Sequence, residues 1–153
     1  MDSLSPSHLQ ILLADDDQDD CSLFKDALDE LPVLAELTFV HDGDQLIQLL
    51  NKLERFPNLI FLDLNMPRKN GLQTLKEIKG NERLKHLSVI MFSTSFQKNV
   101  VDVLYTHGAQ FYIRKPNEFS ELKHSIMEAL TLSAELNYLQ PSKEKFVLSH
   151  VLT

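Results

Sequence analysis

The chain has 153 residues, enough for one domain with a substantial core and too few for two full ones. Its formal charge of -7 excludes a basic stripe able to displace counterions from phosphates, so no nucleic-acid partner is expected. A single cysteine, Cys21, excludes an internal disulfide or a zinc spacing, and no apolar run approaches membrane-spanning length, so no membrane partner is expected either.

Residues 1–8 read as an N-terminal arm, polar and carrying Pro6, unlike a secretory leader, so a reducing cytoplasmic setting is the expectation. Ile11-Leu12-Leu13-Ala14 is the first of four apolar runs that read as strands buried on both faces of a parallel sheet. Asp17, with Asp20 three residues on, forms a cap and its acidic partner for a first helix carried by Leu23, Phe24, Ala27, Leu28 and Leu31 and stopped by Pro32. Leu37, Phe39 and Val40 mark a second strand ending in an Asp42-Gly43 turn, and Leu46, Leu49, Leu50 and Leu53 the next helix. Leu59 to Leu62 is the third strand, and Gly71 opens a helix along Leu72, Leu75 and Ile78. Val89 to Phe92 is the fourth strand, followed by a short helix on Val100, Val103 and Leu104 that ends near Gly108. Phe111 to Ile113 is the fifth, and Phe119, Leu122, Ile126 and Leu130 stripe a last helix reaching about Leu139. Residues 132–153 are a C-terminal extension: the end of that helix, Pro141, a charged link at Lys143 to Lys145, and an apolar tail from Phe146 to Leu152 that either folds back or pairs with a second subunit, a homodimer being favoured.

The alternation predicts an α/β domain over residues 9–131: a doubly wound, five-stranded parallel sheet with helices on both faces. The strands end in Asp15 and Asp16, in Asp63, in Ser93 with Thr94, and in Lys115 before Pro116. Parallel neighbours bring these ends to one sheet edge, where open α/β folds bind ligands. Carboxylates about 5 Å apart repel by roughly 3 kcal/mol at an effective dielectric near 20, so such a cluster calls for a cation.

Ala14-Asp15-Asp16, Leu62-Asp63-Leu64-Asn65-Met66-Pro67, Phe92-Ser93-Thr94 and Tyr112-Ile113-Arg114-Lys115-Pro116 together resemble the signature of bacterial response-regulator receiver domains. Asp63 to Ser93 is 30 positions and Ser93 to Lys115 is 22, intervals that match the chemotaxis receiver without gaps. The runs Asp15 to Asp20 and Leu64 to Gly71 look like single-domain receivers found beside bacteriophytochromes.

The resemblance implies the flavodoxin-like strand order 2-1-3-4-5. It also implies that Asp63 accepts a phosphoryl group from a sensor histidine kinase or phosphotransfer protein, and that the chain signals to a downstream protein and catalyses only its own phosphorylation and dephosphorylation. It implies a bound Mg2+ or Mn2+ with Asp16 and Asp63 as carboxylate ligands, Asp15 acting through water and the Asn65 carbonyl as a further ligand. Lys115 and Ser93 would contact phosphoryl oxygens, and Tyr112 holds the position of the aromatic that swings inward on activation. A carboxylate nucleophile needs only positioning and charge neutralisation at phosphorus, which agrees with those roles.

Serine at 93 keeps the donor of the commoner threonine and loses a methyl; Thr94 stands where a smaller residue is usual. Asn65 and Ser95 occupy positions that tune phosphoryl lifetime in the family. Taken alone, Asp15 to Asp17 is also an ordinary capped turn, Tyr112 a packing aromatic, and Pro116 a strand terminator with a cis bond as one way to tighten the loop. Cys21 reads as a small packing residue, and the six histidines lack ligand spacing. A receiver-like module that is never phosphorylated is the alternative. A phosphohydrolase would need an acid at position 65, and a flavodoxin would need amides and hydroxyls where this chain has three carboxylates.

Overall fold

In the computed structural model, which describes residues 8–148, six strands form one parallel sheet in the order β2-β1-β3-β4-β5-β6. The elements are β1 (Leu9–Ala14), α1 (Gln18–Asp29), β2 (Ala35–Val40), α2 (Gly43–Lys52), β3 (Leu59–Leu62), α3 (Gly71–Lys79), β4 (Val89–Ser93), α4 (Lys98–Thr106), β5 (Phe111–Arg114), α5 (Phe119–Glu135), a 3-10 turn (Lys143–Lys145) and β6 (Val147–Leu148). The expected five-strand order is present, with a sixth strand added at the β5 edge.

Side-chain alternation along the central strands divides the core between two faces. Leu12, Ala14, Ile60, Leu62, Val89 and Met91 pack against Leu46, Leu50, Leu75, Ile78 and Leu104 of α2, α3 and α4. Ile11, Leu13, Leu59, Phe61, Ile90 and Phe92 point the other way, onto Phe24, Leu28 and Ile126 of α1 and α5. Phe24 meets Phe61 and Phe92 edge-to-face, at centroid distances of 4.9 and 5.6 Å, which locks α1 over the centre of the sheet. Leu23 is exposed and Cys21 takes the buried place beside Phe24 on the α1 stripe.

The caps account for where the helices begin. Asp17 accepts from the backbone N–H groups of Asp19 and Asp20, while its own N–H donates to the Asp15 carboxylate at 3.0 Å; Asp20 is therefore not the reciprocal partner of a capping box. Asp42 and Gly43 do not form a free turn: Asp42 caps α2 by accepting from the Gln45 N–H at 2.8 Å. A full capping box joins Asn70 and Gln73 at the start of α3.

Helix α5 stops at Glu135, short of Leu139, because Asn137 and Tyr138 turn left-handed at φ 52° and 63°. The chain then folds back over the end of α4. Tyr105 donates its hydroxyl to the Pro141 carbonyl at 2.8 Å, and Gln110 donates to the Leu139 carbonyl at 2.9 Å. Phe146 is buried with its ring 5.1 Å from that of Tyr105, and the next two residues pair with β5 through Tyr112 and Ile113. This part of the tail packs on its own chain; the end of the tail, like most of the N-terminal arm, lies outside the described residues. No described peptide bond is cis, Lys115–Pro116 included.

Candidate phosphoacceptor and cation site

Strand order reverses between β1 and β3, since the chain leaves β1 to one side for β2 and returns to the other for β3. The crevice that this opens at the C-terminal ends of the strands is where an open parallel sheet presents ligand groups. The Asp15 N–H pairs with the Val40 carbonyl at 3.0 Å, the Asp63 N–H with Ala14 at 2.9 Å and the Lys115 N–H with Ser93 at 2.8 Å, so the ladder itself aligns the functional positions.

Carboxylate oxygens of Asp15, Asp16 and Asp63 lie within 4.8 Å of one another, with Asp15 and Asp63 buried and Asp16 exposed. The Lys115 ammonium reaches in from β5: its Nζ is 2.7 Å from Asp15, 2.8 Å from Asp20 and 3.3 Å from Asp63. The same nitrogen lies over the Phe92 ring, 5.4 Å from its centroid. Burial opposes the ammonium charge, but hydrogen bonds to Asp15 and Asp20 prevail and hold its pKa well above the ordinary lysine value. Burial pushes the Asp63 carboxyl up to about 6; the Lys115 charge opposes that rise and the Asp15 charge adds to it. Asp63 is therefore mostly ionised at neutral pH.

Asp20 is the residue that sequence reasoning missed at this site. Its place in the first turn of α1, three residues past the Asp17 cap and so close to the end of β1, was the available signal. The structure brings together Asp15, Asp16, Asp63 and Lys115 as expected. The Ser93 hydroxyl sits on the same edge and is buried, yet its contacts are with Ser95 Oγ at 3.1 Å and the Asn65 amide at 3.5 Å. The Asn65 backbone N–H donates to an Asp63 carboxylate oxygen at 3.2 Å, which orients that carboxylate. Tyr112 is buried and donates its hydroxyl to the Ser95 carbonyl, with Phe96 stacked edge-on at 5.9 Å. The Cys21 thiol is pushed up to about 11 by burial and the Asp15 and Asp20 charges, so it stays protonated and packs.

Four carboxylates around one ammonium leave three formal negative charges in a crevice with two buried acids. Pairs at 4.8 Å or less repel by roughly 3 kcal/mol or more at an effective dielectric near 20. An all-oxygen donor set with this excess charge fits a hard divalent cation.

The response regulator receiver domain model matches residues 11–127, and the chain belongs to that family, the receivers of two-component signal transduction. Response regulator Rcp1 of Synechocystis sp. is 32% identical over 117 residues, spanning 73% of this chain and 80% of its own. Among solved structures, the phosphorylated cyanobacterial phytochrome response regulator RcpA matches with a TM-score of 0.76 at 30% identity, over 89% of this chain and 100% of that one. The Mn(2+)-bound form of Rcp1 matches with a TM-score of 0.71 at 30% identity, over 88% and 99%. The resemblance to phytochrome-associated receivers read from the Asp15 and Leu64 runs agrees with these relatives.

Proposed function

We propose that this chain is a single-domain response regulator that accepts a phosphoryl group from a sensor histidine kinase or phosphotransfer protein on Asp63 and signals by a change of shape on the α4/β5/α5 face. The observation that carries the reading is the Lys115 ammonium lodged between Asp15 and Asp63 at the strand-order reversal, with a third carboxylate beside them. Asp16, Asp63 and the Asn65 carbonyl would hold Mg2+ or Mn2+, with Asp15 bound to it through water. When bound, the ion supplies charge neutralisation at the phosphoryl oxygens. The Mn(2+)-bound relative supports that choice of ion.

A carboxylate oxygen of Asp63 attacks phosphorus, the phosphorus–nitrogen bond of the phosphohistidine breaks, and its electron pair returns to the imidazole. The Asn65 N–H holds the other carboxylate oxygen of Asp63 during attack. Lys115 offers its ammonium to a phosphoryl oxygen where charge accumulates. Ser93 would leave Ser95 and Asn65 to donate to another phosphoryl oxygen, drawing the β4–α4 loop inward and changing what Tyr112 packs against. A partner on the α4/β5/α5 face then responds only by its differential affinity for the two shapes.

Acetyl phosphate labelling with and without magnesium tests this. Label that needs magnesium and disappears in Asp63→Asn is expected. Wild-type protein that takes no label under either condition would instead mark an interaction module that is never phosphorylated.

A further inference from the structure

We infer that Asp20 is a positioning residue for phosphoryl uptake, acting through Lys115: together with Asp15 it anchors two of the three ammonium N–H groups and so turns the third toward Asp63. The inference rests on the function proposed above and adds a residue to it.

An ammonium has three N–H groups and no acceptor. At Lys115 all three are directed at carboxylates, with short contacts of 2.7 and 2.8 Å to Asp15 and Asp20 and a longer one of 3.3 Å to Asp63. The two short contacts are anchors, and the long one faces the group that reacts. Without both anchors a four-carbon stem leaves the charge free to rotate, because a lysine has no rigid fork to hold it.

Asp20 owes its own place to something other than Lys115. It stands in the first turn of α1, where its backbone N–H is held by the Asp17 cap and the helix N-terminus favours a carboxylate. The backbone that carries the anchor is therefore placed independently of the lysine. Asp15 has a competing task, since a cation's hydration shell would draw on the same carboxylate. Among the described residues the Asp20 carboxylate pairs with Lys115 alone, and its side chain stays about one-third exposed, so the core does not depend on it.

The test uses the full chain with Asp20→Asn, Asp20→Glu and the Asp63→Asn control. In metal-free protein, nitrogen-15 spectra of the lysine ammonium groups should show a slowly exchanging Lys115 signal, identified by its loss in Lys115→Arg. That signal should be lost in Asp20→Asn and return in Asp20→Glu. With acetyl phosphate, the saturating labelling rate of Asp20→Asn should fall roughly tenfold while half-saturating magnesium moves by less than about threefold, as expected when a charge-assisted contact to a partly exposed group is lost. Asp20→Glu should recover part of the rate. An Asp20→Asn protein that keeps both the ammonium signal and the wild-type rate overturns the inference. So does a loss seen only as weaker magnesium binding, since the residue would then act on the cation. Failure of the functional reading looks different: wild-type protein takes no label while its Lys115 signal remains protected.

Discussion

Gly71 stands so close beneath Asp63 that a β-carbon on it would lie 2.4 Å from the Asp63 carbonyl oxygen and 2.7 Å from the Leu64 α-carbon. The N–H of Gly71 also donates to the Leu64 carbonyl at 2.9 Å, so the start of α3 is pressed against the backbone that carries Asp63. Both obstacles are main-chain atoms, which cannot swing aside as a side chain would. Gly71→Ala should therefore lower stability by about 2 kcal/mol and displace Asp63, cutting acetyl phosphate labelling more than the loss of folded protein explains. Thermal melts beside labelling of the folded fraction check this; wild-type labelling per folded molecule would refute it.

The buried Asp63 carboxyl should leave a signature in the pH dependence of stability. Burial raises Asp63 to about 6 from an ordinary value near 3.8, so between those values the native state binds more protons than the unfolded chain. Stability of metal-free protein then declines as pH rises through that window, and the full cost remains at neutral pH. Asp63→Asn removes the titration. It should flatten this part of the profile and raise stability near pH 7.5 by about 1 to 2 kcal/mol, a figure discounted for solvent screening. Urea unfolding of both proteins in a chelator, from pH 4 to 8, measures it.

Removing the cation at the centre of the site should have the opposite sign. Lys115→Ala strips Asp15 and Asp63, both buried, of the ammonium that compensates them, at a cost of about 3 kcal/mol at neutral pH. Added magnesium should recover part of the loss by binding the folded form. Melting curves of the variant with chelator and with millimolar magnesium would show it; a midpoint indifferent to magnesium would count against the cation site.

The C-terminal tail supplies a stability test that does not touch the site. The Phe146 side chain is fully buried against Tyr105 at the end of α4, and its carbonyl accepts the Tyr112 N–H at 3.0 Å. Phe146→Ala should cost about 3 kcal/mol and lower the melting midpoint while the acetyl phosphate labelling of folded protein holds. Sizing of wild type and of a chain ending at Gln140 would show separately whether the tail carries an interface: an unchanged monomer mass in both removes that idea.

Much of this architecture was legible along the chain because its signals are local. Strand β3 is a short run with no polar position, and β4 is apolar up to its last residue, Ser93, a pattern that only a layer covered on both faces accommodates. Each ends directly in a residue with functional chemistry, and parallel pairing then aligns those ends whatever the loops do. The caps at Asp17, Asp42 and Asn70 depend on neighbours within three residues, so helix starts could be read more closely than the end of α5, which turns on two left-handed residues.

What the sequence determined by itself was thus the five strands of the central sheet and the identity of the acids and lysine at its rim, since burial pattern and spacing are properties of the chain. Tertiary structure alone decided the partnerships. Asp20 meets Lys115 across 95 positions, Ser93 turns to Asn65 and Ser95, and a two-residue strand forms only where β5 offers an open edge and Tyr105 a ring for Phe146 to cover. Side chains choose among donors and acceptors by distance in space. Several choices were open to each along the chain, and packing left one.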